Sequence, residues 1–123
     1  MSSDRVVVVV LIVLGVGLLG PPPAHAHTFL DHAEPRVGST VTTAPAAVSL
    51  TFTEPVEPSF CRVDVQDAHG QRITAGALEN PKSDELRLPL PSLAPGDYTV
   101  HWVVISVDTH RTEGRFEFTV SAP

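Results

Sequence analysis

Sulfur and positive charge are scarce in this sequence. Cys61 is its single cysteine, which excludes an intramolecular disulfide and any zinc or redox site built on paired cysteines. Eight Lys and Arg residues stand against 14 Asp and Glu residues, and the formal net charge at pH 7 is -6. Such a chain offers no basic surface to a phosphate backbone, so nucleic acid is excluded as a partner. Any metal site must therefore use His, Asp and Glu.

The first 26 residues have the layout of a secretory signal peptide. An apolar block over residues 6–19 follows Arg5, and a small-x-small sequence over residues 24–26 follows a run of three prolines. The block is shorter than the ~20 residues that cross a bilayer, so we interpret it as a cleaved leader. An uncleaved signal anchor is the alternative.

Cleavage after Ala26 would leave residues 27–123, which suffice for one small domain. We expect this domain to be exported to the periplasm or another extracytoplasmic space, with His27 as its first residue. Cleavage after Ala24 is the competing prediction. It would leave a His25-Ala26-His27 start, in which the imidazole of His27 stands at the third position.

The region after the leader predicts an all-β fold. Apolar and polar residues alternate in several short segments, which is the pattern of half-buried strands. A lead strand near Phe29 and a short strand over 71–75 bring the predicted count to seven, whereas residues 79–84 are predicted to form a polar loop. The spacing is typical of a β-sandwich with Trp102 in its core. The alternating segments are 48–52, 61–66, 86–90, 98–106 and 115–120.

Three residues predict a metal site: His27, Asp108 and His110. An amino-terminal histidine offers its α-amine and its imidazole Nδ1 to one metal as a chelate. Asp108 and His110 lie two positions apart after the longest predicted strand, and in extended chain this spacing points both side chains to one side. Two imidazoles, an amine and a carboxylate form a tetragonal set that suits Cu(II) best, with zinc as the main competitor.

Less specific interpretations exist for the same residues. An Asp-Thr-His sequence in a loop is commonly just solvated, and only its pairing with His27 favours a metal. His32 is either an auxiliary ligand or an exposed polar residue. Cys61 alternates with valines and is predicted to be a buried, inert thiol.

Four segments carry a resemblance to one known family: HTFLDHAEPRVGSTV at 27–41, VSLTFTEPVEP at 48–58, LAPGDYTVHWVVISVDTH at 93–110 and GRFEFTV at 114–120. Over these segments the chain resembles the CopC family of periplasmic copper-resistance proteins. The resemblance implies a Greek-key β-sandwich of the immunoglobulin-like or cupredoxin-like kind. It further implies a Cu(II) ion held by His27, Asp108 and His110, with Glu54 beside the metal.

The function implied by the resemblance is binding, not catalysis. The expected protein is a monomeric Cu(II) chaperone or buffer in copper resistance or homeostasis, which passes copper to an inner-membrane transporter. Some family members carry a methionine-rich Cu(I) loop, but the single methionine here is Met1, so no such second site is expected. His32 also departs from the small polar residue usual at its position.

Two other function classes compete with this interpretation. A copper-dependent lytic monooxygenase also uses an amino-terminal histidine on a β-sandwich. The short chain leaves little material for a substrate platform, however, and a carboxylate ligand such as Asp108 would block the coordination position that oxygen needs. A metal-free immunoglobulin-like interaction module is the other alternative.

Overall fold

The computed structural model describes residues 30–122, and their regular structure is almost entirely β-strand. No helical segment within this range combines the length and the apolar character needed to cross a bilayer. A single 3₁₀ turn over Pro58–Phe60 interrupts the strands of this range. The strands are β1 Leu30–Glu34, β2 Thr40–Val41, β3 Ala47–Phe52, β4 Arg62–Gln66, β5 Glu79–Lys82, β6 Glu85–Pro89, β7 Gly96–Ile105 and β8 Arg111–Val120.

The strands form two four-stranded sheets. One sheet has the order β1-β3-β6-β5 and the other the order β2-β8-β7-β4. All neighbours are antiparallel except β2 and β8, which pair in parallel over two residues. The chain crosses repeatedly between the sheets, and the alternating residues of both face a common core, so the predicted all-β sandwich is confirmed.

The strand count within residues 30–122 is eight rather than the predicted seven. The predicted strand over 71–75 is wrong: the segment forms an isolated bridge between Arg72 and Gln66 but no ladder, and its side chains are exposed except for half-buried Ile73. The predicted loop over 79–84 is also wrong, since Glu79–Lys82 forms β5 at the sheet edge. All four β5 side chains are exposed, so no apolar alternation marks this strand.

The longest hairpin of the sandwich carries its largest core residue. β7 and β8 pair from Gly96 opposite Val120 to Ile105 opposite Arg111. Trp102 is only 3% exposed and meets Phe52 of the other sheet edge to face, with ring centroids 5.5 Å apart. Opposite Trp102 lies Gly114, where an added Cβ would come within 2.6 Å of the indole ring. The prediction that Trp102 is a core residue is confirmed.

Candidate metal centre

The β7–β8 connection carries two of the predicted ligands. Asp108 and His110 lie on a tight turn closed by hydrogen bonds from the Ser106 amide to the His110 carbonyl (3.0 Å) and from the Thr109 amide to the Ser106 carbonyl (2.9 Å). Thr109, between the ligands, has a φ of 73°, in the left-handed region that few non-glycine residues adopt. The extended geometry assumed from the sequence is therefore wrong. The turn still brings His110 Nδ1 to 3.4 Å from Asp108 Oδ1.

A second connection, between β3 and β4, lies beside this turn. Val56 forms an isolated antiparallel bridge with Ser106, and the amide of Val107 donates to the carbonyl of Pro55 at 3.0 Å. These bonds bring Glu54 to the turn. One ligand atom from each of Glu54, Asp108 and His110 lies within 4.8 Å of the other two. The fold thus unites residues that are more than fifty positions apart in the sequence.

Ser106 links the two residues of the turn and was not singled out by sequence reasoning. Its hydroxyl donates to Asp108 Oδ1 and accepts the amide N–H of His110 at 3.1 Å. The side chain is only 1% exposed. A usable signal existed, because the period-two pattern of β7 continues to position 106 and places this polar residue on the core-facing side.

The electrostatics of the turn favour an ionised Asp108. The hydrogen bond from Ser106 lowers the pKa of the Asp108 carboxyl, and the neighbouring His110 lowers it further. The carboxylate therefore remains charged at neutral and mildly acidic pH. Asp108 and His110 are well exposed, with 58% and 75% of their side-chain surface accessible. Two carboxylates and an imidazole at an open surface can coordinate a divalent cation that accepts mixed oxygen and nitrogen ligands.

Two other histidines from the sequence interpretation lie away from this cluster or outside the described range. His32 is exposed on β1, where its Nδ1 lies 2.8 Å from the carboxylate of Asp31. It lines a groove together with Trp102 and Glu113, and it is not part of the group formed by Glu54, Asp108 and His110. His27 lies outside the described residues.

Comparisons with known proteins agree on one family. A model of the CopC domain matches residues 30–121. The chain is 37% identical over 102 residues to Protein YobA of Escherichia coli strain K12, covering 80% of this chain and 82% of YobA. It is 30% identical over 117 residues to Copper resistance protein C of Xanthomonas campestris pv. juglandis, covering 89% and 91% of the two chains.

A solved structure shares the architecture. The crystal structure of CopC from Methylosinus trichosporium OB3b superposes with a TM-score of 0.70 at 36% identity, covering 78% of this chain and 95% of that one. These matches confirm the resemblance drawn from the sequence motifs. They also set aside the monooxygenase alternative, because the family binds copper without catalysing a reaction. The chain belongs to the CopC domain family of copper-resistance proteins.

Proposed function

We propose that this protein is an exported Cu(II) chaperone or buffer whose metal is held by His27, Asp108 and His110, with Glu54 beside it. The observation that carries the proposal is the cluster of Glu54, Asp108 and His110, whose ligand atoms lie within 4.8 Å of one another. Two separate connections of the sandwich contribute to it. Membership in a family that includes a protein named for copper resistance identifies copper as the metal.

The direction of β1 supports His27 as a further ligand. Leu30 pairs with Phe52 in antiparallel register, two residues before Glu54. β1 therefore begins at the end of the sandwich where the connection that carries Glu54 begins. His27 precedes Leu30 by three residues in the sequence, a separation that extended chain spans in at most about 10 Å.

The donor types favour Cu(II) over Cu(I). Cu(I) prefers thiolate and thioether ligands, whereas imidazole, amine and carboxylate suit Cu(II). The single methionine of the sequence is Met1, which precedes the proposed cleavage point. Cys61 is half-buried rather than fully buried as predicted, and its Sγ donates to the carbonyl of Glu57 at 3.1 Å. Burial raises the pKa of this thiol, so it stays protonated at neutral pH.

The exposure of the cluster supports a role in copper transfer. A metal held by side chains as open as those of Asp108 and His110 can be reached from solvent by a receiving protein. We propose an inner-membrane copper transporter as that receiver and a monomer as the carrier. Residues 1–26 would serve as the leader and residues 27–123 as the domain that works in the periplasm or elsewhere in the cell envelope.

Removal of either turn ligand is expected to weaken Cu(II) binding without unfolding the protein. Asp108→Ala and His110→Ala should each cost more than the ~10-fold expected for Glu54→Ala, which removes a supporting group. The free energy of unfolding should change by less than about 1 kcal/mol, because both side chains are exposed. Competition titration with a Cu(II) chelator and urea unfolding measure the two effects.

The pair Asp31 and His32 provides a matched control for these substitutions. It is an Asp–His contact of 2.8 Å on β1, and both of its side chains are also exposed to solvent. Asp31→Ala and His32→Ala should leave Cu(II) affinity within about twofold of the unmodified protein, because neither residue belongs to the cluster of Glu54, Asp108 and His110. Unchanged affinity in both Asp108→Ala and His110→Ala would refute the assignment of the turn.

Copper binding is expected to weaken steeply as the pH falls from about 7 to about 5. An imidazole ordinarily has a pKa near ~6.5 and an α-amine near ~7.7 to 8.0, so the metal must displace these protons. Asp108 should not contribute over this range, because its lowered pKa keeps it ionised. The slope of log affinity against pH should exceed one proton per copper. Affinity that stays flat over this interval would contradict a site built on imidazole and amine.

A further inference from the structure

The buried hydroxyl of Ser106 contacts two residues of the metal cluster and is not one of the proposed ligands. Ser106 directly follows β7 and continues its core-facing row; it is 1% exposed, whereas Asp108 and His110 are exposed. We propose that Ser106 is a positioning residue, which holds Asp108 and His110 in their metal-binding arrangement before copper arrives. This inference rests on the proposed copper site.

The hydrogen bonds of Ser106 reach both ligand residues. The hydroxyl donates to Oδ1 of Asp108 and accepts the amide N–H of His110 at 3.1 Å. The amide of Ser106 also donates to the carbonyl of His110 at 3.0 Å, so this residue is tied to Ser106 through both of its backbone groups. One buried side chain therefore fixes the carboxylate of the first ligand and the backbone of the second.

Ser106 is itself immobilised by the sandwich and linked to the Glu54 connection. It forms the isolated bridge with Val56, two residues after Glu54. On either side, the amide of Glu57 donates to the carbonyl of Ile105 at 2.9 Å and the amide of Val107 donates to the carbonyl of Pro55 at 3.0 Å. The hydroxyl therefore connects the exposed turn to the core and holds Asp108 and His110 in fixed positions relative to β7.

The physical effect is preorganisation. An exposed Asp side chain without a hydrogen-bond partner samples several rotamers, and metal binding would then have to select one of them. Groups that orient the ligands of a metal typically change its affinity by 10- to 100-fold when removed. We expect Ser106→Ala to lower Cu(II) affinity by about tenfold, near the lower end of this range, because Asp108 itself remains present.

The test compares Ser106→Ala with Ser106→Thr, which keeps a hydroxyl, and with Ser39→Ala as a matched control. Ser39 also donates its hydroxyl locally, to the carbonyl of Arg36 at 2.7 Å, but it lies beside the far end of β8, where the amide of Thr119 donates to its carbonyl. Three quantities are measured on the protein beginning at His27: Cu(II) affinity, the electron paramagnetic resonance spectrum of the copper form, and hydrogen exchange of the His110 amide without copper.

The expected pattern separates positioning from general stability. Ser106→Ala should bind Cu(II) about tenfold more weakly, shift the copper spectrum and exchange the His110 amide faster, and Ser106→Thr should recover all three. Ser39→Ala should match the unmodified protein. Water can replace the lost hydroxyl at the exposed Asp108, so the alanine variant is expected to fold, and urea unfolding verifies this.

The measurements distinguish failure of the positioning role from failure of the proposed copper-binding function. If the unmodified protein binds Cu(II) and folded Ser106→Ala binds it with the same affinity and spectrum, the positioning role is wrong. If the unmodified protein fails to bind Cu(II), the proposed function is wrong instead. In that case the exchange rate of the His110 amide in copper-free protein still decides whether Ser106 orders the turn: an unchanged rate in Ser106→Ala would overturn the inference.

Discussion

One extra residue in front of His27 is expected to lower the Cu(II) affinity of the 27–123 protein by more than ~100-fold, beyond the range caused by loss of a supporting group. The extension converts the α-amine of His27 into an amide, which no longer serves as an amine ligand. The chelate ring between the amine and the imidazole is lost with it. Asp108, His110 and the remaining imidazole would then have to bind the ion without that chelate.

The measurement is a competition titration of authentic and Met-extended proteins against one Cu(II) chelator at pH 7. A protein with the same residue added after Pro123 controls for the added length. Equal affinity of the authentic and Met-extended forms would contradict the amino-terminal chelate. A protein that begins at His25 tests the alternative cleavage: its His25-Ala26-His27 start would bind Cu(II) even when His110 is replaced by alanine.

Trp102→Ala is expected to be the most destabilising single substitution of the core, at roughly 3 to 5 kcal/mol. The indole is 3% exposed, packs edge to face on Phe52 and fills the space that Gly114 leaves on β8. Its removal leaves a cavity between the sheets. The backbones of β7 and β8 cannot move into this cavity, because the regular hydrogen-bonded ladder between the two strands holds them in place. In a domain of this size such a loss is a large part of the total stability.

Urea unfolding followed by circular dichroism measures this effect. Thr99→Ala, on the opposite face of the same strand, is the matched control and should cost no more than about 1 kcal/mol. Folded Trp102→Ala protein should retain Cu(II) binding, because the ligands lie beyond the end of the strand. A loss of less than about 1 kcal/mol for Trp102→Ala would show that the indole is not the centre of the core.

The parts of the fold that bury an alternating face could be predicted from sequence. Apolar and polar residues alternate regularly along β3, β6 and β7, and each of these strands buries the side that the alternation predicts. β5 could not be found in this way, because all of its side chains are exposed and polar contacts, such as the ion pair of Glu79 with Arg87, join it to β6. The segment 71–75 packs Ile73 against the core but forms only an isolated bridge with β4, so it lies outside the ladders of the two sheets.

Candidate metal ligands could be predicted from the sequence only where the residue types themselves suit a metal. Asp108 and His110 are predicted as ligands from their residue types and their pairing with His27, although the extended geometry expected from their spacing is wrong. Glu54 is predicted from the resemblance to the CopC family. The sequence did not reveal that a left-handed Thr109 joins the two ligands, since this conformation depends on the hydrogen bonds that close the turn. Nor did it reveal Ser106, because a serine becomes a positioning residue only through burial and partners supplied by the fold.

The central claim is that the protein binds Cu(II) through the amino-terminal His27 and the turn that carries Asp108 and His110. Equilibrium dialysis of the protein that begins at His27, against equal concentrations of Cu(II) and Zn(II) at pH 7, tests it most directly. The proposed site contains no thiolate and no closed tetrahedral ligand set that would favour zinc. The order of affinities of the divalent metals therefore favours copper. We expect the protein to retain about one copper per chain and little zinc. Preferential retention of zinc, or retention of neither metal, would contradict it.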